Sequence, residues 1–155
     1  MGIRSTIQTA AEEGSVMQNT ARWGIQEVEE VLSIADACLG GLRGRSTLLF
    51  GPEAQRRLYM PLLCEAEMES IFQEDSPLHV AMLIPHIQLL ISAPDPAQVG
   101  TLLTAGEIAR GCVGRRTPLL IFDLSLSTPS VEELVGLLPA VCLYTPADLR
   151  HILCE

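Results

Sequence analysis

The spacing of apolar residues changes near residue 46. Before that point Ile25, Val28, Leu32, Ala35 and Leu39 recur three and four apart. Gln26, Glu27, Glu29, Glu30, Ser33 and Asp36 fill the opposite face. This is the period of an amphipathic helix. Val31, Ile34 and Cys38 widen its stripe beyond a single seam. A looser version runs upstream through Ile3, Ile7, Ala10, Met17 and Ala21, weakened by Gly14 and Gly24, so a break is expected near Gly24. Gly40-Gly41 ends the helix in the manner of a left-handed C-cap. Residues 1–45 thus read as an N-terminal helical segment.

From Ser46 onward four short, continuous apolar runs appear, each followed by a turn and a proline. Thr47-Leu48-Leu49-Phe50 leads into Gly51-Pro52, and Ile87-Gln88-Leu89-Leu90-Ile91 leads into Asp95-Pro96. Leu119-Leu120-Ile121-Phe122 leads into Thr128-Pro129, and Val141-Cys142-Leu143-Tyr144 into Thr145-Pro146. Asp95 and Thr145 suit helix N-caps, with proline at the first helical position. Gln98, Asp148 and the pair Ser130 and Glu133 sit where capping boxes need them. Continuous runs fit strands covered on both faces. Strands alternating with capped helices predict an α/β fold: a small, mainly parallel sheet of about four strands with crossover helices over residues 46–155. The spacing predicts helices over 96–110 and 129–138, and a helical region over 52–74 kinked or split at Pro61. The stretch 64–69 alternates like a strand, but its residue types favour helix.

Composition narrows the chemistry. The chain carries ten Arg and no Lys. That removes phosphate-loop lysines, pyridoxal-type imines and kinase ion pairs, because Arg neither loses its proton nor forms an imine. The absence of Lys fits codon bias or selection against lysine modification equally. A net charge of −9 opposes long-range attraction to nucleic acid. Five scattered Cys without a C-x-x-C pair and without a secretory signal are expected as buried thiols in a reducing, cytoplasmic compartment. No apolar run reaches the length of a membrane span. Gly2 with Thr6 meets a short myristoylation pattern, for which a plain N-terminus is the simpler reading.

Five candidate sites emerge. Gly40-Gly41-Leu42-Arg43-Gly44-Arg45-Ser46 could cradle an anion, but its order is reversed from a phosphate loop, and a Gly-rich turn whose Arg side chains offset the helix dipole explains every residue of it. The Leu-Ile-Phe-Asp-Leu-Ser segment resembles the phosphoacceptor strand of response-regulator receiver domains. The acidic pair and the lysine that complete such a site are missing, with Ser92-Ala93-Pro94-Asp95 at the preceding strand end. Asp123, Asp95, Ser125 and Thr145, with Ser92, would lie along the carboxyl edge of the sheet, where α/β folds bind ligands. His79, His86 and Cys64 lack the local pairing of a metal site. His151 and Cys154 sit too near the end of the sequence to be preorganised.

The functional expectation is a non-enzymatic interaction, assembly or chaperone-like factor, an acidic adaptor that self-associates as a homodimer, without cofactor or metal. Its interface would use Ile25, Val28, Val31, Leu32 and Ala35 if that stripe does not pack on its own domain, and its anionic or acidic contacts would use Arg43, Arg45, Arg115 and Arg116. The alternative is a small ligand-binding domain or enzyme using Asp123 with a nucleotide or divalent cation.

Overall fold

The four apolar runs lie beside a fifth strand in one wholly parallel sheet, in the order β2-β1-β3-β4-β5. Its strands are β1 (Ser46–Phe50), β2 (Ser70–Glu74), β3 (Leu89–Ser92), β4 (Leu119–Asp123) and β5 (Val141–Tyr144). The computed structural model describes residues 25–126 and 128–153. Helix α1 (Ile25–Leu39) precedes β1, and α2 (Glu53–Glu65) joins β1 to β2. The short α3 (Val80–Leu83), flanked by 3-10 turns at Pro77–His79 and Ile84–His86, joins β2 to β3. Helix α4 (Ala105–Gly111) joins β3 to β4, a 3-10 turn at Glu133–Leu137 joins β4 to β5, and α5 (Pro146–Leu153) follows.

Alternation along each strand divides the core into two layers. Leu49, Leu89, Ile91, Leu120 and Phe122 meet Val28, Val31, Leu32, Ala35, Tyr59, Leu63 and Leu149 of α1, α2 and α5. On the other face Leu48, Phe50, Leu90, Leu119 and Ile121 meet Val80, Ile84, Ile108 and Val135. The central strands are therefore mostly apolar because both faces are covered, with polar residues confined to their ends at Ser46, Thr47, Ser92 and Asp123. Each fully buried Leu or Ile contributes roughly 2 kcal/mol by leaving water.

Several expectations are corrected. The α1 stripe offered as an interface packs on its own sheet: Val28, Val31, Leu32 and Ala35 are all buried there. The side chain of Ile25, the upstream pattern from Ile3 to Ala21, the break near Gly24, the Gly2–Thr6 pattern and Cys154 lie outside the described residues. The helix expected over 96–110 begins only at Ala105. Asp95 instead closes a turn, its carboxylate accepting from Ala97 N–H at 2.8 Å. Thr104 and Glu107 form the true capping box. The segment 129–138 holds a 3-10 turn, because Ser130 is drawn away from a capping role. Helix α2 runs on with Pro61 inside it and ends at Glu65; the strand lies just beyond, at β2. The thiols are not buried: Cys38, Cys64 and Cys142 are exposed, Cys112 is half-buried, and all four are free. Among the described residues no helix is long and apolar enough to cross a membrane.

Candidate functional site

In a doubly wound sheet the strand order reverses at one point, and ligands sit outside the carboxyl ends of the strands there. Here that point lies between β1 and β3. The edge is built from Phe50-Gly51, Glu74, Ser92-Ala93, Asp123 and Tyr144-Thr145.

Asp123 ends β4, is 1% exposed, and is consumed within its own loop. Oδ1 accepts from Ser125 N–H at 3.1 Å, from the Ser125 hydroxyl and from Ser130 Oγ at 2.7 Å; Oδ2 accepts from the N–H groups of Ser130 and Val131, each at 2.9 Å. Ser130 Oγ also meets Ser92 Oγ at 2.9 Å, tying this loop to the end of β3. The Ser130 carbonyl accepts from Leu102 and Leu103 N–H, and Glu132 accepts from Ala105 N–H at the start of α4. The carboxylate thus draws Ser125, Ser130 and Val131 against the end of β4, beside Ser92 at the end of β3. Two of its donors, Ser125 and Ser130, are buried hydroxyls rather than groups turned to a ligand.

At the β1/β3 crevice the parallel ladders run on one residue past the strand ends. Ala93 N–H donates to the Phe50 carbonyl at 2.8 Å, and Gly51 N–H donates to the Glu74 carbonyl at 2.9 Å. A Cβ on Gly51 would stand 2.1 Å from the Ala93 carbonyl oxygen. Arg56 donates from Nε to the Gly51 carbonyl and from Nη1 to Gln73 Oε1. Glu74 accepts from the N–H groups of Asp75 and Ser76 and lies 3.2 Å from His79 Nδ1. The hydrogen bond from His79 holds the Glu74 carboxyl below its ordinary range.

The remaining candidates do not converge. Thr145 caps α5 in a reciprocal box with Asp148. Arg45 binds the carbonyls of Leu39 and Gly41 at the end of α1, where Gly40 and Gly41 hold positive φ; this is cap chemistry. Arg43 makes an exposed pair with Glu67. Arg115 grips the carbonyls of Ile84, Ile87, Thr117 and Pro118, while Arg116 beside it is exposed. Among the described residues no three His, Cys, Asp or Glu gather as a metal site. Partial loss of hydration raises the half-buried Cys112 thiol, and the same effect, with Cys38 and Asp148 nearby, raises that of Cys142. Neither is the lowered thiol a nucleophile requires.

A different surface stands out at β5, the sheet's far edge, which pairs with β4 alone. Its four residues carry no charge. On one side a groove of about 360 Å³ is lined by Cys142, Tyr144, Ala147, Asp148, His151 and Ile152. On the other, Gly136 abuts Leu143, and Leu134 and Leu137 of the same turn project outward, Leu137 at 80% exposure. The opposite edge, β2, has the exposed Glu69 and Asp75 just beyond its two ends and Glu74 at its last position. The uncharged Val-Cys-Leu-Tyr run was visible in the sequence; that it would lie at an edge was not.

No protein-family model matches the chain, and no solved structure matches it. Among curated proteins it is similar to a glutamyl-tRNA reductase of Methanocella arvoryzae, 24% identical over 167 residues. The match takes in 98% of this chain and 36% of the relative, so the chain spans little more than a third of that protein's length.

Proposed function

We propose that this chain is a non-catalytic interaction module that self-associates through the β5 edge. The observation that carries this reading is the contrast between the two edges of the sheet. Exposed edges invite pairing with another strand, and proteins blunt them with charge. Carboxylates guard β2, whereas β5 offers an uncharged strand flanked by Leu134, Leu137 and Ile152, all exposed. A second copy docked about a twofold axis would continue the sheet antiparallel across β5 and cover the same apolar side chains on both partners. Further support comes from the carboxyl edge, where the polar groups of Asp123, Ser125 and Ser130 satisfy one another. The rival reading, in which Asp123 holds a nucleotide or cation, draws no support from a carboxylate so fully bonded.

Sedimentation across a range of concentrations tests the proposal. The wild-type chain is expected to sediment as a dimer at micromolar concentration. Cys142→Lys or Leu137→Lys should return it to a monomer, and Glu69→Gln on the other edge should not. A wild-type monomer under these conditions would contradict the proposal.

A second reading rests on the relative. Similarity to a glutamyl-tRNA reductase suggests that this chain works with glutamyl-tRNA, as a domain or companion of such a protein. The net charge of −9 weighs against direct RNA contact. Gel-shift of glutamyl-tRNA by the purified chain would favour this reading, and no shift at low salt would remove it.

A further inference from the structure

Carboxylates are unevenly shared between the two ends of the sheet. Glu74, Asp75, Asp95 and Asp123 lie at the carboxyl end. At the amino end the loops that enter β3, β4 and β5 meet. Leu119 N–H donates to the Ala140 carbonyl, Leu120 N–H to the Gln88 carbonyl, and Arg115 to the carbonyls of Ile84 and Ile87. These loops come from residues 76–94, 108–122 and 134–147, none of which contains an Asp or Glu. Two clefts of about 260 and 290 Å³ open there, and Arg115, Arg116 and Thr117 line both. We propose that this end of the sheet is a docking surface for a glutamate-rich segment of a partner protein, held through Arg116. The proposal goes beyond the self-association described above and does not depend on it.

The two arginines differ in what they are free to do. Arg115 is half-buried and directs Nε, Nη1 and Nη2 at four backbone carbonyls, those of Thr117, Ile84, Ile87 and Pro118. Carbonyl dipoles satisfy its N–H groups, but no carboxylate among the described residues balances its charge. Partial loss of hydration lowers its hold on the proton, as expected of a cation without a counter-ion. Its grip on Thr117 and Pro118 fixes the loop from which Arg116 projects. Arg116 is exposed and bonds to no other described residue. Its planar fork is therefore free to take a carboxylate through two parallel hydrogen bonds. The rest of the surface selects among anions. Pro85, Val113 and Pro139 give the clefts apolar walls, with Val113 83% exposed. Such walls suit the methylene groups of a glutamate side chain and do nothing for a phosphate. A net charge of −9 repels a long polyanion at a distance, whereas a short acidic segment carries few charges to repel.

Amide chemical shifts of the intact, isotopically labelled chain test this at low salt, with a capped hexaglutamate peptide as probe. Adding the peptide to about 1 mM should give saturable shifts at Val113, Gly114, Arg116, Thr117 and Ala140. A hexaglutamine peptide should give none. Arg116→Ala, at an exposed position, should weaken hexaglutamate binding about tenfold or more, the effect of losing a charge-assisted pair. Arg43→Ala, which removes an exposed arginine elsewhere on the surface, should leave binding unchanged. The absence of saturable shifts at these residues would overturn the proposal, as would binding that survives Arg116→Ala. Tighter binding of inorganic phosphate or of a short single-stranded RNA at the same residues would also overturn it, by making the site one for phosphate.

Discussion

Ser130 holds Asp123 twice, through its N–H to Oδ2 at 2.9 Å and its hydroxyl to Oδ1 at 2.7 Å. This pair turns a strand-end carboxylate, the obvious candidate for ligand chemistry, into the anchor of a loop. Asp123→Ala would strand the buried N–H groups of Ser125 and Val131 and the Ser125 hydroxyl, while Ser130 would keep Ser125 Oγ and Ser92 Oγ as partners. Since each buried unsatisfied donor costs on the order of 1–3 kcal/mol, the substitution should lose about 3 kcal/mol or more. Chemical denaturation measures this. A loss comparable to an exposed substitution would mean that the carboxylate is free for another role.

Gly51 should tolerate no side chain. In Gly51→Ala the added methyl meets the Ala93 carbonyl, and the residue has a positive φ of 149°. Overpacking and backbone strain each cost roughly 1–3 kcal/mol, so a fall in stability of about 3 kcal/mol is expected. By contrast, Gly100→Ala, where nothing lies near the new Cβ, pays only for its φ of 98°. Thermal melts of the two variants should differ clearly, with Gly51→Ala the lower.

Arg115 and Arg43 should behave as opposites. Arg115 forks onto four carbonyls, and a lysine cannot reproduce that planar geometry. Arg115→Lys is expected to cost roughly 1–2 kcal/mol, in line with hydrogen bonds to a charged group. Arg43→Ala breaks only an exposed ion pair and should fall within about 0.5 kcal/mol of wild type. Equal effects in urea unfolding would refute the distinction.

Tyr144 should ionise late. Its hydroxyl meets Cys38 Sγ at 3.6 Å, and that hydrogen bond, then burial, then neighbouring Cys142 and Asp148, push the phenol up to about 12. The folded state therefore holds this proton more tightly than the unfolded chain, where tyrosine titrates near 10. Stability from this group is complete below pH 10 and is lost as pH rises towards 12. Absorbance titration of the phenolate should show one tyrosine with a midpoint near 12, and Cys38→Ala should lower it. An unchanged midpoint in the variant would remove Cys38 as the cause.

The sequence made the central strands legible because they are covered on both faces. Strand β4 follows its apolar run Leu119–Phe122 and adds Asp123, and β1 begins one residue early, at Ser46; the edge strand β5 was legible because Val141–Tyr144 is itself an uncharged run. Strand β2 escaped notice because Ser-Ile-Phe-Gln-Glu, half-exposed at an edge, has no such run. The two shortened helices failed for a shared reason: their expected caps were taken by other partners. Asp95 bonds its own turn, and Ser130 bonds Asp123 across seven residues, a pairing no local spacing announces. The edge residues Asp123 and Thr145 were identifiable by strand position. Only the three-dimensional arrangement reveals that one is buried in a hydroxyl network and the other caps a helix.

The self-association proposal is tested most directly by hydrogen exchange at the two sheet edges, followed with protein concentration. Between about 1 μM and 100 μM, amides of Val141–Tyr144 should become more protected, because local protection reports new backbone pairing. Those of Ser70–Glu74 should not change. Exchange at β5 that is independent of concentration, or new protection confined to β2, would contradict association through the β5 edge.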